Sequence, residues 1–139
     1  MRISEIVRID NRGRLTLPSS IREVMGFSEG MYVMLMVETE EKQVRIVPFA
    51  DPEAKLIEFH FALSDVPGAL AQIASILAEN NVDLLSTASR TLKRGELAEW
   101  TVIADISKCK CSLEELKKKL LDRKAVEKMT FRDLLSTGG

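Results

Sequence analysis

Apolar and polar positions alternate with a period of two from Ile3 to Ile9 and again through Leu15-Thr16-Leu17, with Asn11-Arg12-Gly13 between them as turn chemistry. This pattern predicts two strands joined by a tight reversal, the second stopped by Pro18. Ser20 with Glu23 three residues later fits a capping box, and Gly26 is placed to end a short helix in the left-handed conformation. Met31 to Thr39 and Val44 to Val47 read as two further strands around the polar turn Glu40-Glu41-Lys42-Gln43. The expected order of this first stretch is β-β-α-β-β.

Two prolines four residues apart in Pro48-Phe49-Ala50-Asp51-Pro52-Glu53 then interrupt strand-like sequence on both sides. They divide the chain into an expected first domain over residues 1–50, a linker over 51–54 and a second domain over 55–139. Fifty residues are near the size at which one chain buries too little surface to stand alone, so dimerisation is expected of the first.

Leu56 to Leu63 alternates again and ends in Ser64-Asp65-Val66-Pro67-Gly68. From about Gly68 to Asn80 the period changes. Leu70, Ile73, Ala74, Leu77 and Ala78 recur at spacings of three and four, one apolar face of a helix, with Gln72, Ser75 and Glu79 opposite. Val82 to Leu92 and Leu97 to Ile106 predict two strands around Lys93-Arg94-Gly95-Glu96. Ser112 and Glu115 form a second capping box, opening a helix with Leu113, Leu116 and Leu120 inward and Lys117-Lys118-Lys119 mostly outward as a solvated face. Ala125 to Phe131 is short and open to more than one reading. A strand there completes β-α-β-β-α-β, a ferredoxin-like sandwich, and makes the whole chain α+β.

Composition narrows the classes. Among 139 residues, 45% are apolar and 29% charged, with only 4 Pro and 7 Gly, which excludes disordered and collagen-like chains. The longest apolar run, Met31 to Val37, is far short of the roughly 18 residues of a membrane span. Residues 1–5 lead into no secretory apolar segment, so a soluble, cytoplasmic protein with no membrane partner is expected. Cys109 and Cys111 are too few and too close to staple a secreted fold, and no second Cys or His pair supplies a zinc site. His60 is the single histidine and stands in an apolar segment without a Ser or Cys nucleophile pattern, which favours a strand histidine over a catalytic base. The chain has no P-loop, no dinucleotide glycine pattern, no Gly-x-Ser-x-Gly and no His-Glu-x-x-His. Neither an enzyme nor a cofactor is expected. One Trp, one Tyr and five Phe leave few stacking platforms for single-stranded nucleic acid.

Net charge is close to zero, with 20 Lys plus Arg against 21 Asp plus Glu, but the charges are unevenly placed. Arg2, Arg8, Arg12, Arg14 and Arg22 face only Glu5 and Asp10 over residues 1–22, a local excess of three positive charges. Arginine forks suit phosphates and guanine edges, so this stretch is an expected anion-binding surface. In an alternating strand Arg8 and Asp10 share one face, and Gly13 lets Arg12 and Arg14 flank a tight reversal.

The run from Ile9 through Gly13-Arg14-Leu15-Thr16-Leu17-Pro18, then Ile21-Arg22 and Gly26, resembles the DNA-binding module of the SpoVT/AbrB family. That resemblance implies a swapped-hairpin β-barrel, an obligate homodimer or higher oligomer, and duplex DNA as partner. Arg8, Arg14 and Arg22 fall where relatives are basic and contact DNA, while Arg12 is an addition. Glu23 falls where some relatives have a second arginine. It either weakens the DNA surface or serves the helix cap.

Asp65-Val66-Pro67-Gly68-Ala69-Leu70, followed by Ile73, Leu77 and Asn81-Val82-Asp83-Leu84, resembles the ACT domain, a regulatory module that commonly binds amino acids between paired domains. The resemblance implies a ligand site at Asp65, Gly68, Ala69, Leu70 and Asp83. Free N–H groups of the helix beginning at Gly68 suit a carboxylate. Asp65 and Asp83 stand where relatives hold the ligand's ammonium, and two acids favour an amino acid with a neutral side chain. The other reading has Asp65 only capping the helix, in a ligand-free dimerisation module. The expected function is a transcriptional regulator that binds DNA and senses an amino acid. The alternatives are an antitoxin-like interaction module and a regulatory subunit of a biosynthetic enzyme.

Overall fold

The computed structural model describes residues 1–134, and the expected domain end at residue 139 lies outside them. The chain divides into two compact units, one over Met1–Pro52 and one that begins at Glu53.

The first unit contains helix α1 (Ser19–Met25) and strands β1 (Tyr32–Glu38) and β2 (Gln43–Ala50), which pair antiparallel. Expected strands at Ile3–Ile9 and Leu15–Leu17 are absent. The reversal between them does form: Asp10 and Arg14 are bonded backbone to backbone at 2.9 Å, and Gly13 has φ 76°. The flanking segments have no ladder partner among the described residues, and a strand exists only through pairing. The order observed is thus α-β-β, and a barrel is not present in the single chain. The Ser20–Glu23 capping box is also absent. Pro18 takes the N-cap position, no side chain caps the helix, and the Ser20 hydroxyl donates to Glu5 Oε1 at 3.0 Å instead. Gly26 ends the helix in the left-handed region as expected. β2 runs through Pro48, opposite Val33 at a register irregularity, where a missing N–H is tolerated.

No residue of Met1–Pro52 is buried. Leu35 and Val37 on β1 lie opposite Ile46 and Val44 on β2, and Leu35, Val37 and Val44 are 63%, 66% and 60% exposed. Met34 and Val47 make the other face of the same pair apolar too. A two-stranded hairpin with two apolar faces is marginal in water without cover.

The second unit has its own core. Strands β3 (Leu56–Leu63), β4 (Asp83–Lys93), β5 (Leu97–Asp105) and β6 (Val126–Asp133) form one antiparallel sheet in the order β4-β5-β3-β6. Helices α2 (Ala69–Glu79) and α3 (Leu113–Leu121) complete β-α-β-β-α-β, the expected sandwich. Alternation puts Ile57, Phe59, Phe61 and Leu63 of β3 and Trp100, Val102 and Ala104 of β5 in the core with Ile73, Leu77, Leu116 and Leu120 of the helices. Ser112 caps α3 as expected, accepting from Glu115 N at 3.2 Å. Lys117 lies over the Phe131 ring at 5.8 Å.

The opposite sheet face is polar. Glu58 Oε1 receives Arg132 Nε at 2.9 Å and meets His60 Nε2 at 2.7 Å, while His60 Nδ1 lies 3.2 Å from Thr101 Oγ1. His60 is a satisfied strand histidine. Among the described residues no helix is long and apolar enough to cross a membrane.

Candidate functional site

Two regions carry recognition chemistry. In the second unit, pairing places Leu63 beside Ala98, and Ala98 beside Thr91. The β3–α2 loop therefore meets the β4–β5 hairpin end of the sheet, and the two enclose a notch of about 210 Å³. Asp65, Val66, Ala69 and Leu70 line one side; Arg90 and Trp100 stand among the residues of the other. Asp65 Oδ2 accepts from Gly95 N at 2.7 Å, which ties the loop to the hairpin turn. Asp65 is thus not the cap of α2, whose N-cap is Gly68 without a side-chain bond. Its second oxygen has no partner among the described residues. Arg90 is paired with Glu99 at 2.8 Å but is 72% exposed, so its remaining N–H groups face solvent.

Gly68 has φ 86°, and a β-carbon there would meet nothing within 4 Å. Only glycine takes this conformation without strain, and the space beside it is open. Gly68 itself does not line the notch.

Asp83 does not join Asp65. It pairs with Asp105, at the end of β4 remote from Thr91, eight residues away and on the order of 25 Å along the strand. The reason is topological: α2 carries the chain from one end of the sheet to the other, so residues just before and just after the helix lie at opposite ends. Conversely, Ser89, Arg90, Thr91, Glu99 and Trp100 line the notch without belonging to any motif. Their signal was the strand order itself, which sets the β4–β5 turn beside the end of β3.

In the first unit, Arg8, Asp10, Arg14, Leu15 and Thr16 surround a shallow depression of about 410 Å³. Asp10 organises it. Its Oδ1 accepts from the backbone N of Arg12 at 2.8 Å and of Arg14 at 2.9 Å, and its Oδ2 accepts from Arg14 Nε at 2.8 Å. The Arg14 N–H, then that of Arg12 and the Arg14 side chain, hold the Asp10 carboxyl below its ordinary range. The side chains of Arg8 and Arg12 have no hydrogen-bond or ion-pair partner among the described residues. Arg22 donates through Nε to Leu17 O at 3.1 Å and stands on α1, outside the depression. Glu23 makes no helix cap. Arg8 and Arg14 are brought together with Arg12 on the same turn.

The second unit's strand order and helix placement define a ferredoxin-like α+β sandwich with a loop-lined notch. Residues 57–122 match the ACT domain family, and this part of the chain is an ACT domain. The solution structure of the C-terminal domain of the MgtC protein from Mycobacterium tuberculosis is similar to this chain at 11% identity, over 60% of this chain and 90% of that one, with a TM-score of 0.46. That likeness is too slight to bear on function. No curated protein matches the chain.

Proposed function

We propose that this protein is a homo-oligomeric transcriptional regulator: its ACT domain senses a small amino acid, and its first unit binds duplex DNA. The ACT domain supports a regulatory role in which a small molecule is sensed. The observation that carries the finer reading is the notch at Asp65–Leu70, whose volume suits an amino acid of modest size. It offers the unpaired Asp65 oxygen for an ammonium, Arg90 for a carboxylate and Trp100 with Leu70 for an apolar side chain. Asp83 has no part in this seat within one chain.

The DNA half rests on the resemblance of Ile9–Gly26 to the SpoVT/AbrB module and on the guanidinium groups of Arg8, Arg12 and Arg14 around one fixed turn. Homo-oligomerisation accounts for a first unit with no buried residue and two apolar hairpin faces. A second copy would supply ladder partners for Ile3–Ile9 and Leu15–Leu17 and cover for Leu35 and Val37.

Two measurements on the intact chain test this reading. A thermal-shift screen of common amino acids should find one that raises the melting temperature. Binding to random duplex DNA should weaken steeply with salt, because each neutralised phosphate contributes about 0.9 to the log-log slope. Affinity that is flat with salt would remove DNA from the function, and no response to any amino acid would leave the ACT domain with another ligand class.

A further inference from the structure

The loop between β5 and α3 holds the two cysteines, with one residue between them, both free and half-buried against the core. Cα atoms two positions apart span at most about 7 Å. The backbone bends at Lys110 and Cys111, which brings them toward the range of roughly 4.4–6.8 Å that a disulfide bridges. The loop is pinned: Cys109 N donates to Ile106 O at 3.0 Å and Lys110 N to Asn80 O at 3.0 Å.

Around the sulfurs stands a built environment. Asn80 is 7% exposed, and its Nδ2 donates to Ile76 O at 2.8 Å. Its Oδ1 accepts from Lys119 Nζ at 3.0 Å and from the Cys111 thiol at 3.6 Å. Asn80 and Lys119 also line an open groove of about 560 Å³ with Glu79 and Arg123. Asp122 lines it too, so its charges balance, and Lys119 is the cation that shares Asn80 Oδ1 with the Cys111 thiol, the place where a small anionic reagent would rest. Among the described residues no set of three metal-ligating side chains gathers, so the chemistry offered is that of a dithiol.

We propose that Cys109 and Cys111 form a redox site that closes to a disulfide within the loop by exchange with a small anionic disulfide of the glutathione type. The Cys109 thiolate attacks one sulfur of the reagent, forming a mixed disulfide and releasing one reagent thiolate. The Cys111 thiolate then attacks the Cys109 sulfur and releases the second. Two protein thiols are oxidised, one reagent disulfide is reduced to two thiols, and the two protons pass to the released thiolates. Burial, with the adjacent Cys109, raises the Cys111 thiol above its ordinary range and so opposes its ionisation, while the Lys119 ammonium favours the thiolate that the second step uses. Closure removes the thiol donor from Asn80 Oδ1 and leaves that oxygen to Lys119 alone, so the groove between α2 and α3 reports the redox state.

The intact protein, equilibrated in glutathione buffers of stepped ratio, quenched in acid and read by intact mass and peptide mapping, tests the site. The expected product has lost two hydrogens within the peptide containing residues 109–111, reverts with dithiothreitol, and is more abundant in native buffer than in urea at the same ratio. Cys111→Ser should stop at the glutathione adduct on Cys109. Should that variant fail to fold, the wild-type mass alone decides. Persistent reduction in the most oxidising buffer, a mixed disulfide that never closes, crosslinks between chains, or equal closure in urea would each overturn the proposal.

Discussion

Glu58 and Arg132 are 74 residues apart in sequence and 2.9 Å apart in space, the arginine Nε donating to a carboxylate oxygen that His60 also meets. The bond fastens β6 to β3 on the sheet face away from the helices. The Arg132 bond, opposed by burial and reinforced by His60, holds the Glu58 carboxyl below its ordinary value of 4.5. The folded state therefore prefers the ionised form. Its stabilisation is present above that ordinary value and is lost as pH falls through the lowered one.

Glu58→Gln is accordingly expected to cost about 1 kcal/mol at neutral pH, a value reduced from that of a fully buried charged bond because Arg132 is largely exposed. The variant should also lose less stability than wild type between neutral pH and about pH 3. Urea unfolding at several pH values measures both, and parallel acid limbs would remove Glu58 as the source.

At the notch, Asp65→Ala should lower stability by about 1 kcal/mol through loss of the Gly95 bond, and abolish amino-acid binding. Asp65→Asn keeps an acceptor for Gly95, so it should recover the stability but not the affinity. Asp83→Ala is expected to leave the calorimetric titration unchanged. A titration lost with Asp83 and kept with Asp65→Ala would place the seat elsewhere.

The first turn separates preorganisation from bare charge. Asp10→Ala makes the unit more positive, yet it should weaken DNA binding, because it frees the turn that aims Arg12 and Arg14. Arg12→Ala should leave the melting temperature nearly unchanged and reduce the salt slope by about 0.9 per chain. Fluorescence anisotropy over a salt series reads both, and tighter binding by Asp10→Ala would mean that charge alone governs.

Leu35→Asp tests the apolar hairpin. An exposed residue of a monomer tolerates such a change within about 0.5 kcal/mol, whereas a residue covered by another chain does not. Sedimentation at falling concentration is expected to show an oligomer for wild type and its loss in the variant.

Much of the second unit was legible because local signals and tertiary pairing agree. The strict alternation of Leu56–Leu63, the apolar face through Ile73 and Leu77, and the Ser112–Glu115 cap each depend on neighbours in sequence. The first unit was less legible for the opposite reason. Alternation at Ile3–Ile9 states which face would be buried but provides nothing to pair with, and Ser20 found Glu5 rather than the helix N-terminus. Asp83 stands at the other end of the sheet from Asp65 within one chain, because spacing along a chain does not say which way a helix carries it. Arg90, Glu99 and Trp100 entered the notch through strand pairing alone, a relation no single stretch of sequence states.

The bond from Asp65 to Gly95 makes two connections, thirty residues apart, into one wall. The shape of the notch need not change at a residue that lines it: lengthening or stiffening the Lys93–Glu96 turn would reshape the opposite loop through Asp65, whose backbone N also donates to Glu96 O at 3.3 Å. Selection on the shape of this notch can therefore act at the outer hairpin, where insertions are best tolerated and the core is left intact.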